Sequence, residues 1–152
     1  MRYSSKQTVE VIVGRLKASN ITDVVISPGS RNAPFIQSFT AKEAFNCYSI
    51  VDERCAGFFA LGMALKKKKP VVLLCTSGSA LLNYYPAIAE AFYQKIPLIV
   101  LSADRPEYCI DQGQGQTIRQ NGALDLHIRA HFKIDGDTTD KHQLLEIEQN
   151  KL

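Results

Sequence analysis

The sequence predicts an α/β domain, an open and mostly parallel sheet of about five or six strands flanked by helices. Three observations point there. Short β-branched runs alternate with longer segments of helical period. One of those runs, Val71 to Cys75, is apolar without alternation, the mark of a strand buried on both faces. Each of the four clearest runs ends in a polar turn, as strands do where they feed a helix.

Taken in order, Ser5 to Ala18 places Val9, Ile12, Val13 and Leu16 on one helical stripe, with Asn20 as its stop. Asp23 to Ser27 is the first strand, followed by the turn Pro28-Gly29-Ser30-Arg31-Asn32 and a short helix from Ala33 to Thr40. Cys47 to Val51 is the second strand, and Glu53 to Lys66 the second long helix. Val71 to Cys75, the third strand, ends at Thr76-Ser77-Gly78-Ser79. Ala80 to Tyr93 is helical, and Pro86 either kinks it or starts its main part. Leu98 to Leu101 is the fourth strand, ending at Asp104-Arg105-Pro106. A loop rich in Gln and Gly runs from Glu107 to Gly115. Gln116 to Ala123 reads as a short helix, Ala130 to Ile134 as a fifth strand, and Thr138 to Asn150 as a final helix. No linker or repeat divides residues 1–152, so one domain is expected.

Composition removes several functions. The net charge of +3 is small and spread along the chain, which argues against nucleic acid or a membrane surface as partner. The basic run Lys66 to Lys69 ends a helix and suits its negative pole. Cys47, Cys55, Cys75 and Cys109 have no CxxC spacing and read as reduced thiols. The amino-terminal stretch is polar and amphipathic, and a cytoplasmic location is expected. There is no Walker A motif, Gly113-Gln114-Gly115 lacks a third glycine, and no GxSxG surrounds Ser77. His127, His131 and His142 lack metal-ligand spacing.

What remains is the row of turns. In a parallel sheet the strand-to-helix turns share one edge, the edge where open α/β folds bind ligands. Arg31, Glu53, Ser77 and Arg105 should therefore project to one side. Two arginines suit a carboxylate-bearing ligand, because the guanidinium fork pairs with carboxylates bidentately. Pairing with neighbouring acids such as Asp52 or Asp104 is the alternative. Glu53 opens an apolar stretch, where desolvation moves a carboxylic acid toward a working pH. A first-turn acid favoured only by the helix dipole is the plainer alternative.

The strings SPGSRNAP, DERCAGFFALGMA, CTSGSALLNYYPAIAEA, PLIVLSADRP and GQTIRQNGA together resemble one family. It is the 2-succinyl-5-enolpyruvyl-6-hydroxy-3-cyclohexene-1-carboxylate (SEPHCHC) synthases of menaquinone biosynthesis, which use thiamine diphosphate. The resemblance spans roughly residues 5 to 135 and implies the pyrimidine-binding domain of such an enzyme. It implies that Glu53 hydrogen-bonds the cofactor's pyrimidine N1′ and is catalytic, and that Pro28, Ser77 and Asn83 help to bind the cofactor. It implies that Ser30, Arg31, Arg105 and Gln116 hold the substrates. The reaction implied is decarboxylation of 2-oxoglutarate on thiamine diphosphate, with addition of the resulting carbanion to isochorismate.

In the family the diphosphate and its Mg²⁺ or Mn²⁺ sit in a carboxy-terminal domain with a Gly-Asp-Gly motif. The string here is Asp135-Gly136-Asp137, so no metal ligand is expected in this chain. It reads as one domain of a longer enzyme, inactive alone. The family pattern also has Ser where Cys55 stands and Asn where Gly115 stands. Family sites form between subunits, so a homo-oligomer is expected, with the helices around Phe58, Phe59, Tyr84 and Tyr85 as candidates for its surface and core packing as the plainer role for some of them. Other thiamine-diphosphate 2-oxoacid decarboxylases or acetolactate synthases share the glutamate, and a non-catalytic assembly domain is a further reading.

Overall fold

A computed structural model describes residues 4–134. The elements run α1 (Gln7–Ala18), β1 (Asp23–Ile26), α2 (Ala33–Thr40), β2 (Asn46–Ser49), α3 (Glu53–Lys67), β3 (Val71–Cys75), α4 (Ser79–Asn83), α5 (Tyr85–Gln94) and β4 (Leu98–Ser102). All sheet pairs are parallel, in the order β2-β1-β3-β4. The α/β class and the parallel sheet stand as expected from the sequence.

The register sets two cores. Val25, Val71, Leu73 and Cys75 face α3, α4 and α5, packing on Ala56, Ala60, Tyr84 and Ile88. Val24, Ile26, Val72 and Leu74 point the other way, onto Val9, Val13 and Leu16 of α1 and Phe39 of α2. Successive strand side chains alternate between faces, so β1 and β3, covered on both sides, are buried throughout. Their unbroken apolar character in the sequence has that cause.

Two local expectations are corrected, and the four aromatics are sorted into core and surface. Residues 130–134 form no strand; Ala130 to Lys133 are exposed and unpaired in the sheet, which among the described residues has four strands. Gln116 to Ala123 is not helical. Gln116 sits at φ 59 and Gly122 at φ 79, left-handed values that interrupt a helix. A short 3₁₀ turn, Asp125–His127, follows instead. Tyr84 is core, fully buried, and Tyr85 is half-buried, whereas Phe58 and Phe59 are exposed. Pro86 starts a helix, standing in the first turn of α5, where its missing N–H costs nothing. The final helix expected at 138–150 lies outside the described residues. Among the described residues no helix is long and apolar enough to cross a membrane.

Candidate functional site

The chain leaves β1 toward β2 on one side and returns across β1 to form β3 on the other. The crevice between the ends of β1 and β3 is thus the topological switch point, where open sheets of this class take their ligands. The turns after β2, β1, β3 and β4 lie along this edge in that spatial order.

The β1 turn is shaped by Asn32. Its side chain is fully buried. Its Oδ1 accepts from Gly29 N at 2.9 Å and its Nδ2 donates to Ser27 O at 2.9 Å. The amide therefore closes the turn on itself and leaves Pro28, Ser30 and Arg31 exposed. Gly29 lies against the β3 turn so closely that a Cβ there would come 2.5 Å from Thr76 Cβ. Below them the Tyr84 hydroxyl lies 3.0 Å from Ser27 Oγ and 3.1 Å from Leu74 O.

The β3 turn is held by the loop that follows β4. Ser77 Oγ donates to Gln116 O at 3.1 Å, and Gln116 Nε2 donates to Ser77 O at 3.2 Å. Gly78 adopts φ 83 and ψ −146, a backbone state open in practice only to glycine. Its N–H donates to Gln120 Oε1 at 2.7 Å. Gln120 Nε2 donates in turn to Ala103 O at 3.1 Å, at the end of β4. Asn83, exposed on α4, uses its Nδ2 on Ser79 O at 3.1 Å.

Glu53 is the first residue of α3, half-buried at the end of β2. The preceding Asp52 caps the helix by accepting from Cys55 N at 2.8 Å, and that bond holds its carboxyl below the ordinary range. Capping is thus done by Asp52, and Glu53 is left without a hydrogen bond or ion pair among the described residues. Its charge is felt by the floor of the site. Burial first, and then the Glu53 carboxylate, push the Cys75 thiol up to about 12. Burial raises the Tyr84 hydroxyl, opposed by its bond to Ser27, with smaller upward contributions from Cys75 and then Glu53.

Arg31 and Arg105 also make no ion pair among the described residues, so the alternative of pairing with Asp52 or Asp104 does not hold there. Arg105 gives one Nη2 bond, 3.2 Å to Gly115 O. Its Nε is buried and without a partner. Asp104 instead accepts from Arg105 N at 2.7 Å, and burial lifts its carboxyl above the usual range. Arg31 and Arg105 thus keep donor capacity at this edge that suits a carboxylate-bearing ligand. Among the described residues no group of three His, Cys, Asp or Glu could hold a metal. His127 instead bonds Tyr85, 2.8 Å from Nδ1 to the hydroxyl. The four cysteines are free.

The sequence placed Glu53, Arg31, Ser77 and Arg105 at this edge, and the family resemblance added Gln116, but the supports Asn32, Gln120 and Tyr84 were missed. Position at a strand end marks the first group. No spacing marks the second, whose partners lie up to 57 residues away.

Residues 6–123 match the family described as thiamine pyrophosphate enzyme, N-terminal TPP binding domain. The chain is 59% identical over 128 residues to a SEPHCHC synthase of Christiangramia forsetii, covering 84% of this chain and 22% of that protein. A synthase of the same name from Flavobacterium johnsoniae is 51% identical over 144 residues, 95% of this chain and 26% of that one. The chain thus spans about a quarter of the length of these curated relatives. Among solved structures, benzoylformate decarboxylase from Polynucleobacter necessarius superposes with a TM-score of 0.64 at 25% identity, over 77% of this chain and 21% of that one.

Proposed function

Because this chain belongs to the thiamine pyrophosphate enzymes, as an N-terminal TPP-binding domain, we propose that it is the pyrimidine-binding domain of a longer SEPHCHC synthase. That enzyme decarboxylates 2-oxoglutarate and adds the remaining carbon unit to isochorismate, in the cytoplasm. The observation that carries the reading is the charge left unpaired at the carboxyl edge. Glu53, Arg31 and Arg105 have no ion-pair partners there, and both substrates are carboxylates.

The described residues fit the pyrimidine half of thiamine diphosphate, since an unbonded carboxyl beside buried Cys75 and Tyr84 suits a flat, weakly basic ring. When bound, the cofactor supplies the electron sink that decarboxylation of a 2-oxo acid requires. Glu53 holds the ring at N1′ and shares a proton with it. Its half-buried position limits competition from water. Pro28, Ser77 and Asn83, on the turns and short helix of this edge, help to hold the cofactor. Arg31 and Arg105 hold substrate carboxylates by charge-assisted hydrogen bonds, and Ser30 and Gln116 orient them. The diphosphate and its Mg²⁺ or Mn²⁺ are assigned to a further domain of the same enzyme.

The partner is a second copy of that enzyme. On α3 the small residues Ala56, Gly57, Ala60 and Ala64 face inward, while Phe58, Phe59 and Leu65 are 47%, 44% and 58% exposed. A helix that leaves two phenylalanines and a leucine exposed while Leu61 alone of its large side chains is buried has a face suited to burial.

The test is turnover by the native gene product, with thiamine diphosphate and Mg²⁺, of 2-oxoglutarate and isochorismate together. Formation of the SEPHCHC adduct is expected. Release of carbon dioxide from pyruvate or benzoylformate, with isochorismate untouched, would place the domain in another enzyme of the family. Intact mass and the reading frame beyond Leu152 test the longer chain, and light scattering across a wide concentration range tests the dimer.

A further inference from the structure

We propose that Gln120 is the positioning residue that sets the substrate-holding loop of this site, an inference that rests on the function proposed above. Gln120 is 6% exposed. Its carboxamide is spent inside the protein: Oε1 on Gly78 N at 2.7 Å, and Nε2 on Ala103 O at 3.1 Å and Ser102 Oγ at 3.4 Å. It bridges the ends of the neighbouring strands β3 and β4.

Gly78 N–H, at the strained turn after β3, has this amide as its acceptor. The loop that carries Gln120 also carries Gln116, which is stitched to Ser77 by two bonds, and Gly115, whose carbonyl takes the Arg105 Nη2. A shift of Gln120 therefore moves Ser77, Gln116 and Arg105 together. The side chain must also be neutral. A carboxylate would face the Ala103 carbonyl without a proton to give it, and would bring an anion to the edge where Arg105 awaits a substrate carboxylate. At neutral pH a carboxamide accepts from one strand end and donates to the next, which a carboxylate cannot do.

The test uses the native, complete enzyme. In Gln120→Ala, kcat/KM for 2-oxoglutarate is expected to fall at least tenfold, chiefly through KM, with the fold intact by circular dichroism. If Gln120→Ala does not fold, Gln120→Glu decides, since it matches the native shape. The introduced carboxyl can donate to Ala103 O only when protonated. The ratio of Gln120→Glu to wild-type kcat/KM is therefore expected to rise as pH falls. A role confined to stability would move Tm and leave kcat/KM per folded enzyme unchanged. Values within twofold of wild type, with a flat ratio against pH, would overturn the inference while leaving the proposed function standing. A wild-type enzyme without thiamine-dependent turnover would overturn both.

Discussion

At the amino edge of the sheet, Asp23 is buried and meets Lys67 at 2.7 Å and Asn46 at 3.2 Å. At the carboxyl edge, Glu53, Arg31 and Arg105 have no ion-pair partner among the described residues, and the bonding is done by the neutral amides of Asn32 and Gln120. Both edges belong to the same four strands and differ in what their charges are for. Where only the fold is served, a buried acid is given a cation and an amide. Where, on the proposed function, a ligand is to be held, Glu53 and the two arginines are left open, neutral amides close the β1 and β3 turns, and the acids Asp52 and Asp104 are spent on backbone N–H groups. A carboxylate in place of either amide would compete with substrate for the arginines.

The comparison breaks most visibly at Glu53. Glu53→Gln is expected to lower thiamine-dependent turnover about 10²–10⁴-fold, the range for loss of a positioned acid or base, measured as carbon dioxide release from 2-oxoglutarate by the native enzyme. Next come the arginines. Arg31→Ala and Arg105→Ala are each expected to lower kcat/KM about 10–100-fold, because a charge-assisted hydrogen bond contributes about 1.5–3 kcal/mol. Tm should hold within the small range of a surface substitution.

Gly29→Ala probes the contact between the two central turns. Its Cβ would press on Thr76, and overpacking of that kind costs about 1–3 kcal/mol, read by denaturant unfolding. The smallest effect is expected at the amino edge. Lys67 is 40% exposed, so Lys67→Met should lose only about 1–2 kcal/mol, less than for a fully buried pair, with kcat/KM unchanged. Asp23 raises the Lys67 pKa above its ordinary value, chiefly through their hydrogen bond. The pair's contribution is therefore complete below the unfolded lysine pKa, about 10.4, and is lost as pH rises through the raised folded value. The stability gap between wild type and Lys67→Met should close in that alkaline window.

How far the sequence carried differs between these regions for a physical reason. Val24, Val72 and their neighbours are buried on both faces and so are continuously apolar, and α1 has one apolar stripe. Such elements write their environment into their composition. The run from Ala130 to Ile134 has strand-like residues but pairs with no strand, and Ala130 to Lys133 are exposed. Gln116 to Ala123 has a Gln pair at helical spacing, yet Gln116 is bonded to the β3 turn and Gln120 bridges the ends of β3 and β4, and left-handed backbone at Gln116 and Gly122 forbids the helix. At the site, Arg31, Glu53 and Arg105 were legible because strand ends define the edge. Asn32 and Gln120 were not, because a carboxamide in a polar loop looks the same whether it meets water or a backbone amide 42 residues away. The outward aromatics of α3 were legible as apolar residues, and only the packing of Ala56, Ala60 and Ala64 beneath them fixes which way they point.

On the proposed function, Glu53, Arg31 and Arg105 at the carboxyl edge serve the ligand, and Asp23 and Lys67 at the amino edge serve the fold. The direct measurement is the paired determination of Tm and thiamine-dependent kcat/KM for Glu53→Gln and Lys67→Met in the native enzyme. The expected result is crossed: Glu53→Gln loses activity and keeps its Tm, and Lys67→Met loses Tm and keeps its activity. A Glu53→Gln enzyme that turns over at the wild-type rate, or that unfolds as readily as Lys67→Met, would contradict the account.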